Sequence, residues 1–541
     1  MPILYDNPIH ITNMANDNIL KKVGFASFIM MASIFASRMI GVLREMTIAG
    51  IGGIKVSVDA YQIAFIIPEI LNHVVASGFL SITFIPIFAH YLSSDSKNEG
   101  YKVFSIIMNG FGLLLLCFII ITWIWAPDFV HMFVPGIQDS DTFALAVKMT
   151  RIIIPAQFFF FTGGLLMAIQ FANEKFLIPA LAPLIYNLAI ILGGLILGPF
   201  IGMEGFAWGV LAGAILGNFA LQIVGAKKLG ARYYFILNFT HPDLIKYVQL
   251  TLPLMIGLTM TFSTEILLKF FGSYLNEGSI AAMNYALRVM FILVGLFGQA
   301  IGIASYPYMA KLAQKGNLFE LNRLLNKTLK FIFLVIPFST LFIVLNHEIV
   351  MILFQRGQFD SDATLVTAGI LPFFMVGAFA FSAQNIVSRG YYAIQNTLFP
   401  AIFTSLCVII SLPVIFLFMK EFGPRGVALG LSISVIVQAF VLFECWNQKS
   451  LNLEKKAVYL FFLKMIPISL MIGVIIFLSA VSLRKLFDHS TLSGSLTIAG
   501  LVGLEFLFLF FLSGSVFKVS EILILYKNIF KRVFPWMKKS H

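Results

Sequence analysis

Charged side chains interrupt several long apolar stretches of this 541-residue chain. Arg38 and Arg44 lie six residues apart in the first stretch, and Arg288 lies in a later one. A guanidinium group stays charged at physiological pH and binds phosphate oxygens through paired N–H donors. The three arginines therefore predict a ligand that is anionic and bears phosphate.

Carboxylates accompany these arginines. Glu45 follows Arg44 directly, Asp59 begins the second apolar stretch, and Glu265 precedes Arg288 by one predicted helix. One interpretation is that these groups only form internal ion pairs, Arg44 with Glu45 or Asp59. Arg288 would then pair with Glu265. The other interpretation is a polar cavity in which the arginines bind a ligand and the carboxylates balance their charge.

The sequence contains two further pairs of ionisable residues. The two members of each pair lie four residues apart, so they can bond to each other along one face of a helix. Glu265 and Lys269 form the first pair. Glu265 either bonds Lys269 or takes up a proton or a sodium ion. Glu69 and His73 form the second pair. His73 either titrates near neutral pH or is hydrogen-bonded to Glu69.

The composition indicates that membrane-spanning helices position these residues. The chain is 59% hydrophobic and 11% charged, with a mean hydropathy of +0.93, whereas a soluble domain is about 25% charged. Apolar runs of membrane-spanning length recur, and they do not alternate as barrel strands do. We predict an all-α membrane protein of about fourteen transmembrane helices. The ionisable residues concentrate in the first, second, seventh and eighth.

The sequence lacks the motifs of a soluble enzyme: no phosphate-binding GxxxxGK[ST], no HExxH and no Cys/His cluster of metal spacing occurs. We therefore expect a transporter without cofactor or metal, driven by the membrane potential or by a monovalent ion. The net charge of +12 is explained by anionic lipid headgroups without nucleic acid. Most loop lysines and arginines fall on one side of the predicted helices, which places both termini in the cytoplasm.

A duplication organises the chain. Eleven residues recur at a constant offset of 221 positions; Phe133, Gly136, Asp139, Ser140 and Asp141, for example, return as Phe354, Gly357, Asp360, Ser361 and Asp362. Because this offset holds six spans, the two copies are parallel, and a site between them is typical of transporters. The predicted parts are a cytoplasmic tail (1–22), an N-lobe (23–225), a linker (226–247), a C-lobe (248–446) and a terminal helix pair with a basic tail (447–541).

Small residues repeat with the same offset. Gly205, Ala207 and Gly209 begin the sixth span, and Gly426, Ala428 and Gly430 begin the twelfth. Small side chains let two helix backbones approach closely in lipid. We therefore predict a tight helix crossing in each copy.

Four motifs resemble those of the MurJ (MviN) lipid II flippase family, within the multidrug/oligosaccharidyl-lipid/polysaccharide exporter superfamily. Residues 37–45, SRMIGVLRE, resemble the SRxxGxxRD motif of its first helix. Asp59-Ala60-Tyr61 with Pro68 resembles the start of its second helix. Residues 354–359, FQRGQF, resemble its FxxGxF loop, and residues 392–397, YAIQNT, resemble its YAxxDT segment.

This resemblance implies a bacterial inner-membrane flippase that binds the diphosphate and sugars of lipid II. It assigns Arg38, Arg44 and Arg288 to the diphosphate. Asp59 would be the acidic residue of the family's second helix, and Ser37 and Glu45 would complete the first-helix motif. The sequence departs from the family at the second helix, where Asn72 and His73 stand in place of an arginine. It also departs at Phe291 and Asn396, where members carry acids.

Alternatives remain beside lipid II. The same arginines suit another polyprenyl-diphosphate oligosaccharide of the O-antigen type, and a multidrug or cation antiporter would favour an acidic cavity instead. A scaffold for cell-wall synthesis proteins is a further hypothesis. Expected partners are the lipid substrate, bilayer lipids and cell-wall synthesis proteins.

Overall fold

The structure, a computed structural model, describes residues 32–72, 79–94, 96–258 and 263–533. Within these ranges every regular element is helical. The predicted tail 1–22 and His73 lie outside the described residues. The all-α prediction is thus confirmed for the described chain.

The first group of helices runs to the predicted linker. In order these are α1 (32–52), α2 (Val56–Ala64), α3 (Ile66–Leu71), α4 (Phe79–Ser93), α5 (Lys97–Ile124), α6 (Ala126–Phe133), α7 (Ser140–Ile153), α8 (Ala156–Ala172), α9 (Leu177–Ile201), α10 (Glu204–Gly213), the π-helix Ala214–Ala220 and α11 (Leu221–Lys228).

The second group follows an extended segment. It comprises α12 (Pro242–Leu258), α13 (Ser263–Gly272), α14 (Ser279–Val294), the π-helix Gly295–Gln299, α15 (Ala300–Gln314), α16 (Leu318–Ile332), α17 (Val335–Val344), α18 (Asn346–Phe354), α19 (Ser361–Met375), α20 (Ala378–Ala393), α21 (Leu398–Ser450), α22 (Lys455–Leu486), α23 (Leu492–Val516) and α24 (Ser520–Val533).

Many of these helices are long enough to cross a bilayer. Among the described residues, nine helical segments have the length and apolar character of a membrane span. The pair α19 and α20, bent by 44°, raises that number to ten when it is taken as one span. Gly423, with φ of +57°, divides α21 into two helices. This break lies just before Gly426, where the twelfth span is predicted to begin.

The duplication extends to the backbone. Three helices begin 221 residues apart in the two copies, at Lys97 and Leu318, Ser140 and Ser361, and Leu177 and Leu398. Positive φ angles recur with the same offset, at Gly202 (+61°) and Gly423 (+57°) and at Glu174 (+57°) and Gln395 (+59°). Both copies thus make the same turns, although α16 and α17 break where α5 is continuous.

Helix caps show why these boundaries are fixed. The side chain of Asp139 accepts a hydrogen bond from Thr142 N at 2.7 Å and so caps α7. Its copy, Asp360, accepts from Ala363 N at 2.8 Å and caps α19. An aspartate at this position satisfies an amide that the helix itself leaves unpaired.

The repeated glycines make the predicted close crossings. A Cβ atom on Gly209 would lie 2.6 Å from the carbonyl oxygen of Ala189, so α9 and α10 touch backbone to backbone. In the second copy, a Cβ atom on Gly430 would lie 2.9 Å from the Cα of Ile415. The prediction of tight crossings at these glycines is confirmed.

The chain forms two compact units. The first comprises the described residues up to Ile51 together with Ile63–Met132 and Asp139–Ile256; the second comprises Gly52–Gln62, Phe133–Gln138 and the residues from Gly257 onward. Two short segments of the first sequence copy thus fold within the second unit. Gly136 N donates to Ser273 Oγ at 3.1 Å, and Lys55 Nζ donates to Gln358 Oε1 at 2.7 Å.

The C-terminal helices are built into the second unit. One hydrophobic core contains residues of both helices: Ile468, Ile472 and Ile476 of α22, and Val502 and Phe506 of α23. Arg484 of α22 contacts the buried carboxylate of Glu348 with two nitrogens, Nε at 2.7 Å and Nη2 at 2.8 Å. This bidentate pair fixes the end of α22 against α18.

Candidate functional site

The polar residues of the first unit gather where α1 meets α9. Arg44 Nη2 lies 2.6 Å from Glu45 Oε1, and Arg44 Nη1 donates to Asn187 Oδ1 at 3.1 Å. Asn187 Nδ2 donates to Ser37 Oγ at 3.3 Å and to Pro183 O at 3.0 Å. The structure thus brings Ser37, Arg44 and Glu45 of the first-helix motif into one hydrogen-bonded group.

This group keeps one open side. The side chain of Arg44 is 23% exposed and that of Glu45 is 9% exposed. Arg38, six residues before Arg44, is exposed on α1. Adjacent residues of a helix do not normally face each other, so the contact of Arg44 with Glu45 depends on Asn187, which holds the guanidinium from the other side. The predicted pairing of Arg44 with Glu45 is confirmed.

Sequence analysis missed Asn187 and its neighbour Tyr186. The phenol of Tyr186 lies within electrostatic range of both Arg44 and Glu69. Glu69 is partly buried in α3, and Asn72 follows the end of that helix. The signal for Asn187 was an amide in the middle of the apolar run of α9, because polar groups inside membrane helices seldom lack a partner.

The second unit contains a separate ion pair between neighbouring helices. Arg288 of α14 contacts Glu265 of α13 through two nitrogens, Nη1 to Oε1 at 3.2 Å and Nη2 to Oε2 at 3.4 Å. The side chains are 31% and 16% exposed. Lys269, one turn after Glu265, is 1% exposed. The predicted pairing of Arg288 with Glu265 is confirmed, so Glu265 bonds across helices.

The carboxylate of Asp59, a residue of α2, contacts the N-terminus of α14, the helix that carries Arg288. Its two carboxylate oxygens accept from Gly278 N at 2.6 Å and from Ala281 N at 2.7 Å, and the residue is 6% exposed. Gly278 has a φ of +78° and directly precedes α14. An anion at a helix N-terminus satisfies unpaired amides and opposes the helix dipole. Asp59 therefore positions α14.

Asn284 is a further candidate that sequence analysis missed. It lies one turn before Arg288, is 1% exposed, and neither of its amide atoms has a hydrogen-bond partner within the described chain. Buried polar side chains nearly always have a partner. Asn284 is therefore a candidate ligand-binding residue of α14. A search of the described residues finds no group of three or more His, Cys, Asp or Glu that could hold a metal.

The fold defines the class of membrane transporter to which the chain is similar. A solved structure of an inward-facing multidrug resistance MATE family transporter of the MOP superfamily has a TM-score of 0.65 and 16% identity, and covers 77% of this chain and 96% of that one. At this identity the likeness concerns the fold alone. The chain therefore has the helical fold of MOP superfamily transporters.

More specific similarities identify the family. The sequence model for "Lipid II flippase MurJ" matches residues 48–497. A solved lipid II flippase MurJ in an inward closed conformation has a TM-score of 0.72 and 27% identity, and covers 88% of this chain and 98% of that one. A probable lipid II flippase MurJ of Buchnera aphidicola subsp. Baizongia pistaciae is 25% identical over 477 residues, 87% of this chain and 92% of the relative. The chain belongs to the lipid II flippase MurJ family.

Proposed function

We propose that this protein is a lipid II flippase, which moves the lipid-linked peptidoglycan precursor from the cytoplasmic to the outer leaflet by alternating access. The observation that carries this proposal is the family match over residues 48–497. The polar groups around Arg44 and Arg288 support it, because both arginines stand in helices of a membrane protein and are paired with carboxylates.

We propose that Arg38, Arg44 and Arg288 bind the diphosphate. Without substrate, Glu45 and Glu265 neutralise two of these guanidinium groups, which lowers the cost of holding a cation in a membrane protein. When substrate binds, its diphosphate replaces the carboxylates as hydrogen-bond acceptor. This exchange is possible because a phosphate and a carboxylate each present two oxygens to the paired N–H groups of a guanidinium. Ser37, Asn72 and His73 would complete the polar lining, and Glu69, Glu265 and Lys269 would couple ion or proton movement to the cycle.

The contact of Asp59 offers a mechanism for the change of state. Its carboxylate joins the segment Gly52–Gln62 to the start of α14. In this proposal the contact belongs to a state closed toward the outside, and it breaks when the substrate is released there. Two charge-assisted hydrogen bonds are strong enough to define a state and few enough to be exchanged.

We propose that the full protein has fourteen spans, arranged as two parallel six-helix repeats and a C-terminal pair. It lies in the bacterial inner membrane with both termini in the cytoplasm, in contact with bilayer lipids and with cell-wall synthesis proteins. It works without a cofactor and is coupled to the membrane potential or to a monovalent ion. The repeated helix starts and turn angles support the duplicated architecture.

A second candidate substrate is another polyprenyl-diphosphate oligosaccharide of the O-antigen type. Asn72 stands where the family resemblance implies an arginine. Either lipid II is held with one cation fewer, or a related polyprenyl-linked saccharide takes its place. Cation antiport is less consistent with the arginines. Lipid-linked saccharides that co-purify with the protein, identified by native mass spectrometry, separate the two candidate substrates.

Depletion and replacement test the main proposal. Depletion in the native cell should lower outer-leaflet lipid II, and the chain should replace a known lipid II flippase. Arg288→Ala and Arg44→Ala should abolish replacement at normal membrane abundance. The exposed Arg323→Ala is the matched control, since it removes the same charge from a surface pair with Glu320. Unchanged outer-leaflet lipid II after depletion would refute the proposal.

A further inference from the structure

Arg389 of α20 is a partly buried cation outside the proposed diphosphate set. Its guanidinium lies against α15: a Cβ atom on Gly302 would lie 2.9 Å from Arg389 Nε and 3.1 Å from its Cζ. A side chain at position 302 would occupy the place of the guanidinium. Gly302 therefore fixes where the charge of Arg389 lies, over the backbone of a neighbouring helix.

Two phenols accompany this guanidinium. Tyr306 lies one turn after Gly302 on α15, and Tyr392 lies three residues after Arg389 on α20. Residues at this spacing share a helix face, so each helix carries one phenol on the side of the guanidinium, within range of its charge. A tyrosine O–H donates to an anion, and its ring gives the arginine an apolar neighbour.

Arg389 is partly buried, unlike Arg425, an exposed arginine that also lies against a glycine of a neighbouring helix, Gly369. Arg44, Arg288 and Arg484 each contact a carboxylate. Across the residues that the structure describes, no carboxylate lies within ion-pair distance of Arg389, and its guanidinium donates no side-chain hydrogen bond. A guanidinium group keeps its proton in proteins, so Arg389 stays charged although it is partly buried. An anion from outside the protein is therefore the chemically suitable partner.

Extension toward the membrane surface is the alternative explanation, because α20 ends four residues later at Ala393 and long basic side chains near helix ends reach for water. The position of Arg389 argues against it. Its Nε and Cζ lie at the backbone of Gly302, and the residue is only partly exposed. The arginine is directed across a neighbouring helix.

We propose that Arg389, with the phenols of Tyr306 and Tyr392, binds the phosphate oxygens of a phosphate or diphosphate ester where α15 and α20 cross. The guanidinium offers two parallel N–H donors to one phosphate, and each phenol can donate a third bond. The proposal rests on the proposed flippase function for its expected source, the diphosphate of the carried lipid. The headgroup of a bilayer phospholipid is the other source of the same chemistry.

This assignment gives the second unit two phosphate-binding positions on different helices, Arg288 on α14 and Arg389 on α20. Arg288 exchanges one anionic partner, Glu265, for another, whereas Arg389 binds without displacing a carboxylate. Phosphate binding at Arg389 therefore needs no change of the ion pair between α13 and α14.

Fluorine NMR provides a local test on the full-length protein in detergent. The chain is labelled with 3-fluorotyrosine, and the signals are assigned with Tyr306→Phe and Tyr392→Phe. Titration with inorganic pyrophosphate should shift both signals to saturation. Arg389→Ala should raise the apparent Kd of these shifts by about 10- to 100-fold, as expected for the loss of charge-assisted hydrogen bonds. Arg323→Ala removes an exposed charge and should leave the Kd unchanged.

Gly302→Ala is the second variant, and it keeps every charge. Its methyl group would displace the guanidinium from its place, so it should weaken pyrophosphate binding in the same direction as Arg389→Ala. The same methyl group would lie 3.0 Å from Ile386 Cδ1, so the detergent melting temperature of this variant is measured beside its Kd, and a value equal to wild type shows that it is folded. If the two tyrosine signals do not respond to pyrophosphate, or respond equally in wild type and both variants, the site does not exist.

Membrane composition distinguishes the two sources. Shifts in nanodiscs of phosphatidylglycerol relative to phosphatidylcholine support the site with a phospholipid as ligand. Shifts only on addition of farnesyl diphosphate support it with a polyprenyl diphosphate. If the tyrosine signals shift but the protein fails to replace a lipid II flippase, the proposed function is refuted and the phosphate site is supported. Normal replacement without any shift would refute the site alone.

Discussion

The hydrogen bonds of Asp59 give the sharpest prediction about stability. Asp59→Asn keeps one acceptor oxygen but places an amide N–H₂ group opposite a backbone N–H, so at least one of the contacts at 2.6 and 2.7 Å is lost. A hydrogen bond to a charged group contributes about 1.5–3 kcal/mol, and an unsatisfied buried amide adds to its loss. Taking about 2 kcal/mol, local opening at the start of α14 becomes roughly 30-fold more frequent.

Amide hydrogen exchange followed by mass spectrometry measures this opening. Peptides that contain Gly278 and Ala281 should exchange roughly 30-fold faster in Asp59→Asn, while peptides of α22 should stay unchanged. Asp360→Asn is the control, because it removes a cap of the same chemistry at α19 and should affect only the amides near Ala363. Equal exchange at Gly278 in wild type and Asp59→Asn would show that the carboxylate does not hold α14.

Three further perturbations test the packing. Glu348→Ala removes the carboxylate partner of Arg484, whose side chain is 23% exposed and keeps its bond to Val344 O, so it should cost about 1.5–3 kcal/mol and lower the detergent melting temperature; a melting temperature equal to wild type would contradict this. Burial lowers the pKa of His347 below its usual 6.5, so its contribution to stability is complete above pH 6.5 and is lost as the pH falls through the folded pKa. Melting curves should show this loss in wild type and not in His347→Phe. Gly209→Ala should destabilise the crossing of α9 and α10, whereas Gly500→Ala, where nothing lies within 4 Å, should not; equal melting temperatures would refute that reasoning.

The sequence predicted those features that depend on residues close together in the chain or repeated along it. The constant offset of 221 residues predicted the duplication, and helix starts and turn angles follow it. The pairing of Arg44 with Glu45 was one of two interpretations open from sequence, because a charge in a membrane helix needs a counter-charge and Glu45 is near in the chain. Apolar runs predicted helices, since a membrane span requires internal hydrogen bonds.

Features that depend on distant residues could not be predicted in this way. Asn187 bonds Arg44 across 143 positions, and Asp59 bonds Gly278 across 219. No periodic pattern reports such contacts, because they arise only when helices pack. The break between α2 and α3, at Phe65, was missed for a related reason: the residues on both sides of it are apolar, so hydropathy does not change there.

The distance in sequence between Asp59 and its partners has a consequence for the order of synthesis. Gly278 follows Asp59 by 219 residues, so at about 5–20 residues per second the ribosome needs roughly 10–45 s to add it. Throughout that interval the early segment Gly52–Gln62 has entered the membrane without the helix that later binds its carboxylate. The early segment therefore waits for the rest of the second unit to be made, and an insertase or chaperone that shields Gly52–Gln62 would act in that interval.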